Sequence, residues 1–230
     1  MAVPGGRETE GLRRLRAIGV LREAYTTALL AGEESAVERA VREAIDAGIA
    51  EGVIDDAIIA PAMRRVGDLW AGGELSVADE HLATHTTIRM VALLRESFRV
   101  TERRGTQRIL LAGLAEERHV VGLEMAASVL AHGGYEVLML GPDVPLQSLA
   151  PAVRRHRPAI VGLSATLATT ASVLPAAIYE IRAADPAVGL LIGGPAASLR
   201  MQDTPGTSVC THVTDAVELA DALAQHATLN

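Results

Sequence analysis

Lysine is absent, and all 21 basic residues of the 230-residue chain are arginine. Without lysine there is no Schiff base to pyridoxal phosphate or to a carbonyl substrate, no phosphate-loop lysine and no kinase strand lysine, which excludes most ATP-driven chemistry. Aromatic residues amount to 2% and leave almost no platform for stacking bases, while a net charge of −7 argues against a nucleic-acid footprint over the whole chain. The local clusters Arg13, Arg14, Arg16 and Arg154, Arg155, Arg157 read as solvated helix faces. No direct nucleic-acid binding is expected. The lone cysteine, Cys210, can form no internal disulfide and suits no cysteine-rich metal site. No apolar run approaches the roughly 20 residues that cross a bilayer, and the opening MAVPGGRETEGLRR lacks the apolar stretch of a signal peptide. A cytoplasmic location with no membrane partner is therefore expected. What is present is 49% apolar residues, enough to fill the core of one large domain or two small ones.

Two halves differ in periodicity. From Leu12 to about Phe98 the apolar spacing is helical, most clearly at Val37, Ala40, Val41, Ala44 and Ile45, with Ser35 as the expected N-cap and Gly48 as the stop. A third helix is expected from about Val53 to Trp70, kinked or broken by Pro61 and ended by Gly72 and Gly73. A fourth begins at Ser76, where Ser76-Val77-Ala78-Asp79 reads as a capping box, and runs to about Arg99. Residues 1–104 are thus predicted to form a four-helix bundle. After Gly105, short β-rich runs alternate with helical segments: Arg108–Gly113, Tyr135–Leu140, Ala159–Ser164, Val188–Ile192 and a weaker one near Val209–Val213. Residues 105–230 are predicted to form an α/β domain, a five-stranded parallel sheet in the flavodoxin-like (Rossmann-like) order. Ligands of such sheets bind outside the carboxyl ends of the strands.

The loops at those ends carry the unusual residues: Glu117-Arg118-His119-Val120-Val121-Gly122 after the first strand, Ser164-Ala165-Thr166 after the third, Gly193-Gly194 after the fourth. Between them lie 41 residues from Gly122 to Ser164 and 26 from Thr166 to Gly193. Ser164 does not sit in a nucleophile elbow, because Thr166 stands where the second glycine of G-x-S-x-G belongs. His132 and His156 fall in the last turns of helices and read as structural.

In order and spacing these loops resemble the cobalamin (vitamin B12) binding domain of methionine synthase and its relatives, whose signature is D-x-H-x-x-G, S-x-L and G-G. The resemblance covers roughly residues 107–230 and implies a base-off/His-on cofactor, with His119 as the lower ligand of cobalt. Gly122 then lets the corrin approach the backbone, Ser164 hydrogen-bonds the buried base, and Gly193-Gly194 leave room for the nucleotide tail. An acidic residue two positions before the histidine can fix its tautomer and raise its basicity. Glu117 stands where the family has Asp, which predicts a longer or water-mediated link, and Thr166 replaces the family's Leu.

On the fourth helix Val77, Glu80, His81, Thr84, His85 and Ile88 form one stripe, and nine residues separate the only tryptophan, Trp70, from Glu80-His81. W-x9-E-H resembles the helix bundle of the CarH-like light-dependent cobalamin regulators. That resemblance implies adenosylcobalamin as cofactor, with Trp70 packed on the adenosyl group and Glu80 and His81 orienting it. Two departures stand out. The relatives begin with a helix-turn-helix domain, whereas a short tail precedes the first helix here, so DNA control would need a partner. They also place a histidine directly after the tryptophan, where this chain has Ala71. The expectation is a non-enzymatic sensor, cleaved by light at the cobalt–carbon bond and acting by self-association or through a regulatory partner. The alternatives are a corrinoid carrier of a methyltransferase system and a simple cobalamin store.

Overall fold

The computed structural model describes residues 10–98, 107–197 and 205–228. The chain divides into two compact units between Met90 and Val91. The expected domain boundary, at residue 104, lies outside the described residues.

The first unit is helical. Helix α1 spans Glu10–Leu30 and α2 spans Glu34–Asp46, which buries Val37, Ala40, Val41 and Ala44 at i, i+3, i+4 and i+7. Ser35 is not its N-cap. The cap is Glu33 and the helix begins two residues earlier, because the Gly32 and Glu33 amides close on the Leu29 and Ala28 carbonyls in a Schellman turn that delivers the chain straight into Glu34. That early glutamate meets the positive end of the helix dipole. Gly48 does end α2: its left-handed φ of 68° lets Ile49 N–H reach the Ala44 carbonyl at 3.1 Å.

Helix α3 comprises Glu51–Ile54, a π-helical turn over Asp55–Ile59 and a second α-helical stretch, Ala60–Ala71. The disturbance expected from Pro61 takes the form of this wider turn. Pro61 has no N–H to donate into the preceding turn, and Ala60 N–H instead closes on the Asp55 carbonyl five residues back. Helix α4, Val77–Ser97, opens with the expected capping box: Asp79 N–H donates to Ser76 Oγ at 3.2 Å, and Ser76 N–H donates back to Asp79 Oδ2 at 3.3 Å. Arg99, its expected end, lies outside the described residues. Inside the unit Tyr25 is fully buried; its hydroxyl donates to Thr87 Oγ1 at 3.0 Å, and that hydroxyl donates to Met63 Sδ at 3.2 Å.

In the second unit five parallel strands run β1 Arg108–Leu114, β2 Glu136–Val144, β3 Ile160–Ser164, β4 Gly189–Gly193 and β5 Thr207–Cys210. Their order is β2-β1-β3-β4-β5, the flavodoxin-like order expected. Helices α5 (Val121–His132), α6 (Leu146–His156), α7 (Ala168–Ala171), α8 (Leu174–Ala184) and α9 (Ala216–Thr228) connect and cover them. Two apolar clusters, one centred on Leu110, Val161 and Leu190 and the other on Ile109, Ile160 and Leu191, fill the two faces of the sheet. The weak fifth strand lies two residues earlier than expected, since its register is set by pairing with β4, from Leu190 with Thr207 to Gly193 with Cys210. His132 and His156 each end a helix, where His132 Nε2 lies 3.0 Å from the Arg95 carbonyl and the His156 carbonyl accepts from Arg108 at 2.7 Å. No helix among the described residues is long and apolar enough to cross a membrane.

Candidate cofactor site

The doubly wound order brings the ends of β1, β3 and β4 together: Gly113, Ser164 and Gly193 are register partners across the three strands. Glu117, in the loop after β1, is fully buried, and its carboxylate organises the site. Oε1 accepts from the His119 backbone N–H at 3.0 Å and lies 2.6 Å from His119 Nδ1. Oε2 accepts from the Thr166 N–H and from the Thr170 hydroxyl, the latter at 3.0 Å. The link to His119 is therefore direct, not longer or water-mediated. The extra methylene of Glu over Asp is absorbed by turning the carboxylate inward, where it spans from the β1 loop to the β3 loop.

Burial alone would raise this carboxyl. Four hydrogen bonds outweigh it, those from the His119 ring and the Thr166 amide foremost, and hold Glu117 at about 2. An ionised partner at Nδ1 assigns that nitrogen the ring proton and leaves the imidazole lone pair on Nε2. The ring itself is 53% exposed. An imidazole oriented in this way by a carboxylate can offer Nε2 to a metal ion.

The glycines differ in what they do. A Cβ on Gly122 would meet nothing within 4 Å, and one on Gly193 would make only ordinary contacts, so both leave open space beside the loops. Gly194 has φ of 101°, and a Cβ there would come within 2.4 Å of the Ala165 carbonyl oxygen, so its bareness is already required by the chain itself. Thr170 is the residue sequence reasoning missed. It lies six positions after Ser164, in a run where Thr169 and Thr170 look alike until the short helix α7 turns one of them inward. Its hydroxyl also accepts from the Leu167 N–H at 3.2 Å.

In the helical unit Glu80 Oε2 lies 2.7 Å from His81 Nδ1, and Oε1 accepts from the Thr84 hydroxyl at 2.8 Å. The stripe expected on α4 stands outside the unit's core, which takes Ala83, Thr86, Thr87 and Met90 from the same helix. Val77, His81 and His85 are exposed, while Glu80, Thr84 and Ile88 are half-buried. Trp70, in the last turn of α3, keeps 49% of its surface exposed. An indole left half in solvent is apolar area available to a ligand.

A doubly wound sheet with a carboxylate-oriented histidine at its switch point defines a cofactor-binding class of α/β protein. Models of the B12 binding domain match residues 21–95 and 107–223, and the chain belongs to this B12-binding family. It is 35% identical over 171 residues to the HTH-type transcriptional repressor CarH of Myxococcus xanthus, covering 74% of this chain and 55% of the repressor. It is 26% identical over 141 residues to the trimethylamine corrinoid protein of Methanosarcina barkeri, covering 60% of this chain and 64% of that one. The chain thus spans between half and two thirds of these relatives. Its fold matches the monomethylamine corrinoid protein of Methanosarcina barkeri with a TM-score of 0.74 at 15% identity, over 90% of this chain and 97% of that one.

Proposed function

We propose that the chain is an adenosylcobalamin sensor that responds to light and acts through self-association or a regulatory partner. Bound adenosylcobalamin supplies a cobalt–carbon bond that visible light breaks. His119 would hold the cobalt through Nε2, in the base-off/His-on manner, while Glu117 keeps the ring proton on Nδ1. Gly122 admits the corrin edge, Ser164 hydrogen-bonds the displaced base, and Thr166, Gly193 and Gly194 border the nucleotide tail. The helical unit recognises the adenosyl group: Trp70 and Val77 supply apolar contact, while Glu80 accepts from the ribose hydroxyls and His81 orients it.

The observation that carries the adenosyl reading is the half-exposed sole tryptophan, separated by nine residues from a glutamate already held by His81 and Thr84. A preformed acceptor and exposed apolar surface in the same helical unit suit a nucleoside and give nothing to a methyl group. The second reading, a corrinoid carrier that passes a methyl group between partner enzymes, draws support from the likeness to the trimethylamine corrinoid protein. Absorption spectra and size-exclusion profiles of the purified chain with adenosylcobalamin, in the dark and after green light, separate the two. A light-dependent change in both spectrum and elution supports the sensor. A complex stable to light that donates a methyl group to a partner's thiol substrate would establish the carrier instead.

A further inference from the structure

Two non-glycine residues beside the His119 loop hold left-handed backbones: Glu116 at φ 67° and Asp143 at φ 54°. Neither conformation is favoured by a side chain with a Cβ, and both lie at the carboxyl end of the sheet. They are tied to each other. The Glu116 N–H donates to Asp143 Oδ1 at 2.7 Å, and the Asp143 N–H donates to the Glu117 carbonyl at 2.9 Å.

The strands leave this pair little slack. Pairing of β1 with β2 skips a residue between Leu111 and Ala112 and again before Leu114, so the end of β2 bulges toward the β1 loop. A Cβ on Gly113 would stand 3.1 Å from Pro142 Cα and 3.3 Å from the Glu117 carbonyl oxygen. The bulged end of β2 thus runs close against the backbone from which Glu117 and His119 project. Glu117 sets the ring of His119; what sets the backbone of Glu117 is the bulged end of β2.

We infer that Asp143 is a positioning residue for the cofactor ligand: by holding Glu116 left-handed it fixes the path of the chain through Glu117 to His119. The inference rests on the reading of His119 as the lower ligand. Loss of the Asp143 carboxylate frees Glu116 to return to an ordinary φ, which carries Glu117 and His119 with it. Asparagine at 143 keeps an acceptor at the same place. Glycine at 116 removes the drive to leave the left-handed region.

The test uses the whole chain with and without adenosylcobalamin. Without cofactor, Asp143→Ala is expected to speed hydrogen exchange at the Glu116 amide. With cofactor it is expected to weaken binding about tenfold and to lower the His-on fraction of the spectrum at saturation. Asp143→Asn should restore both to near wild type, and Asp143→Ala should cost much less in a Glu116→Gly background. A purely structural role would lower the melting temperature and leave the saturated spectrum unchanged, and that result overturns the inference. So does wild-type affinity in Asp143→Ala, whatever its amide exchange. Should Asp143→Ala fail to fold, a Glu116→Gly background is expected to rescue both its folding and its His-on spectrum, and failure to rescue them overturns the inference. His119→Ala separates the two levels: an unchanged spectrum there removes the ligand reading, while exchange at Glu116 still reports whether the lock exists.

Discussion

Replacing Glu117 by glutamine tests the centre of the site, because the four groups around the carboxylate allow only a costly choice. With the amide oxygen toward His119, the new NH2 faces the Thr166 N–H, a buried contact between two donors. Thr170 can escape the conflict by donating to the Leu167 carbonyl, 2.9 Å away, but a backbone amide cannot turn. One buried donor without an acceptor, together with the lost charge, costs about 2–3 kcal/mol. With the amide reversed, its NH2 faces His119 Nδ1, which must then accept, and the ring proton moves to Nε2. That tautomer cannot ligate a metal through Nε2. Glu117→Gln therefore loses either stability or the ligand. At pH 7, exchange of the β1 and β3 amides should accelerate roughly 30- to 160-fold for a loss of that size, or the bound cofactor should lose its His-on spectrum.

The pH dependence gives the same argument a sign. Glu117 is held at about 2, below its ordinary value of 4.5. Its contribution is complete above pH 4.5 and is lost as pH falls toward 2, a change on the order of 3 kcal/mol that the glutamine variant should not show. Wild-type exchange and a wild-type spectrum for Glu117→Gln at pH 7 would refute the reasoning.

Three further predictions follow from other residues. Trp70→Ala and Glu80→Ala should weaken adenosylcobalamin more than methylcobalamin in equilibrium titrations, and equal losses would move the carrier reading to first place. Burial, with Glu51 and Asp56 beside it, raises the carboxyl of Asp55 from 3.8 to about 8, and neither oxygen has a hydrogen-bond partner among the described residues. Because the folded state favours the neutral acid, the helical unit should lose up to ~1.4 kcal/mol per pH unit from about pH 4 to 8. Asp55→Asn should flatten that slope in urea unfolding followed by Trp70 fluorescence, and a slope unchanged by the substitution would show Asp55 to be solvated. Finally, the methyl group of Ala71 cannot ligate cobalt, so the illuminated wild type should carry water on the upper face, and Ala71→His should give a photoproduct with two histidine ligands and slower exchange with cyanide. Two histidine ligands in the wild type, with one lost in His81→Ala or His85→Ala, would contradict this.

The fold was legible because its signals are local. Alternation of apolar runs marked all five strands, and glycines at 48, 72 and 73 marked helix ends where the chain turns left-handed or leaves the helix. Spacing alone brought the Glu117, Ser164 and Gly193 loops to one edge, because strand order decides what shares that edge. What stayed hidden depends on phase. Thr170 and Thr169 differ only in the direction that four residues of helix give them. Asp55 reads as one more polar residue in a helix until the π turn rotates it into the core. Glu116 and Asp143 carry no mark of their left-handed backbones, since glycine is the residue that advertises one.

The two groups of site residues also differ in how much they are worth before anything binds. Glu117 is sealed, ionised and fully bonded, so its geometry and the tautomer of His119 are set within the protein before any ligand binds. Glu80 and His81 are another matter: their side chains are 26% and 68% exposed, and an ion pair in that setting contributes at most about 1 kcal/mol. Covering such a pair with a nucleoside removes the water that weakens it and strengthens every interaction it makes. On the proposed reading, affinity for the corrin would rest on the rigid carboxylate and histidine, whereas discrimination among upper groups would arise only when the right one buries Glu80. A group too small to do so leaves the pair in water, and loss of the adenosyl group returns it there. The responsive half of such a sensor is thus the half with the weaker resting interactions.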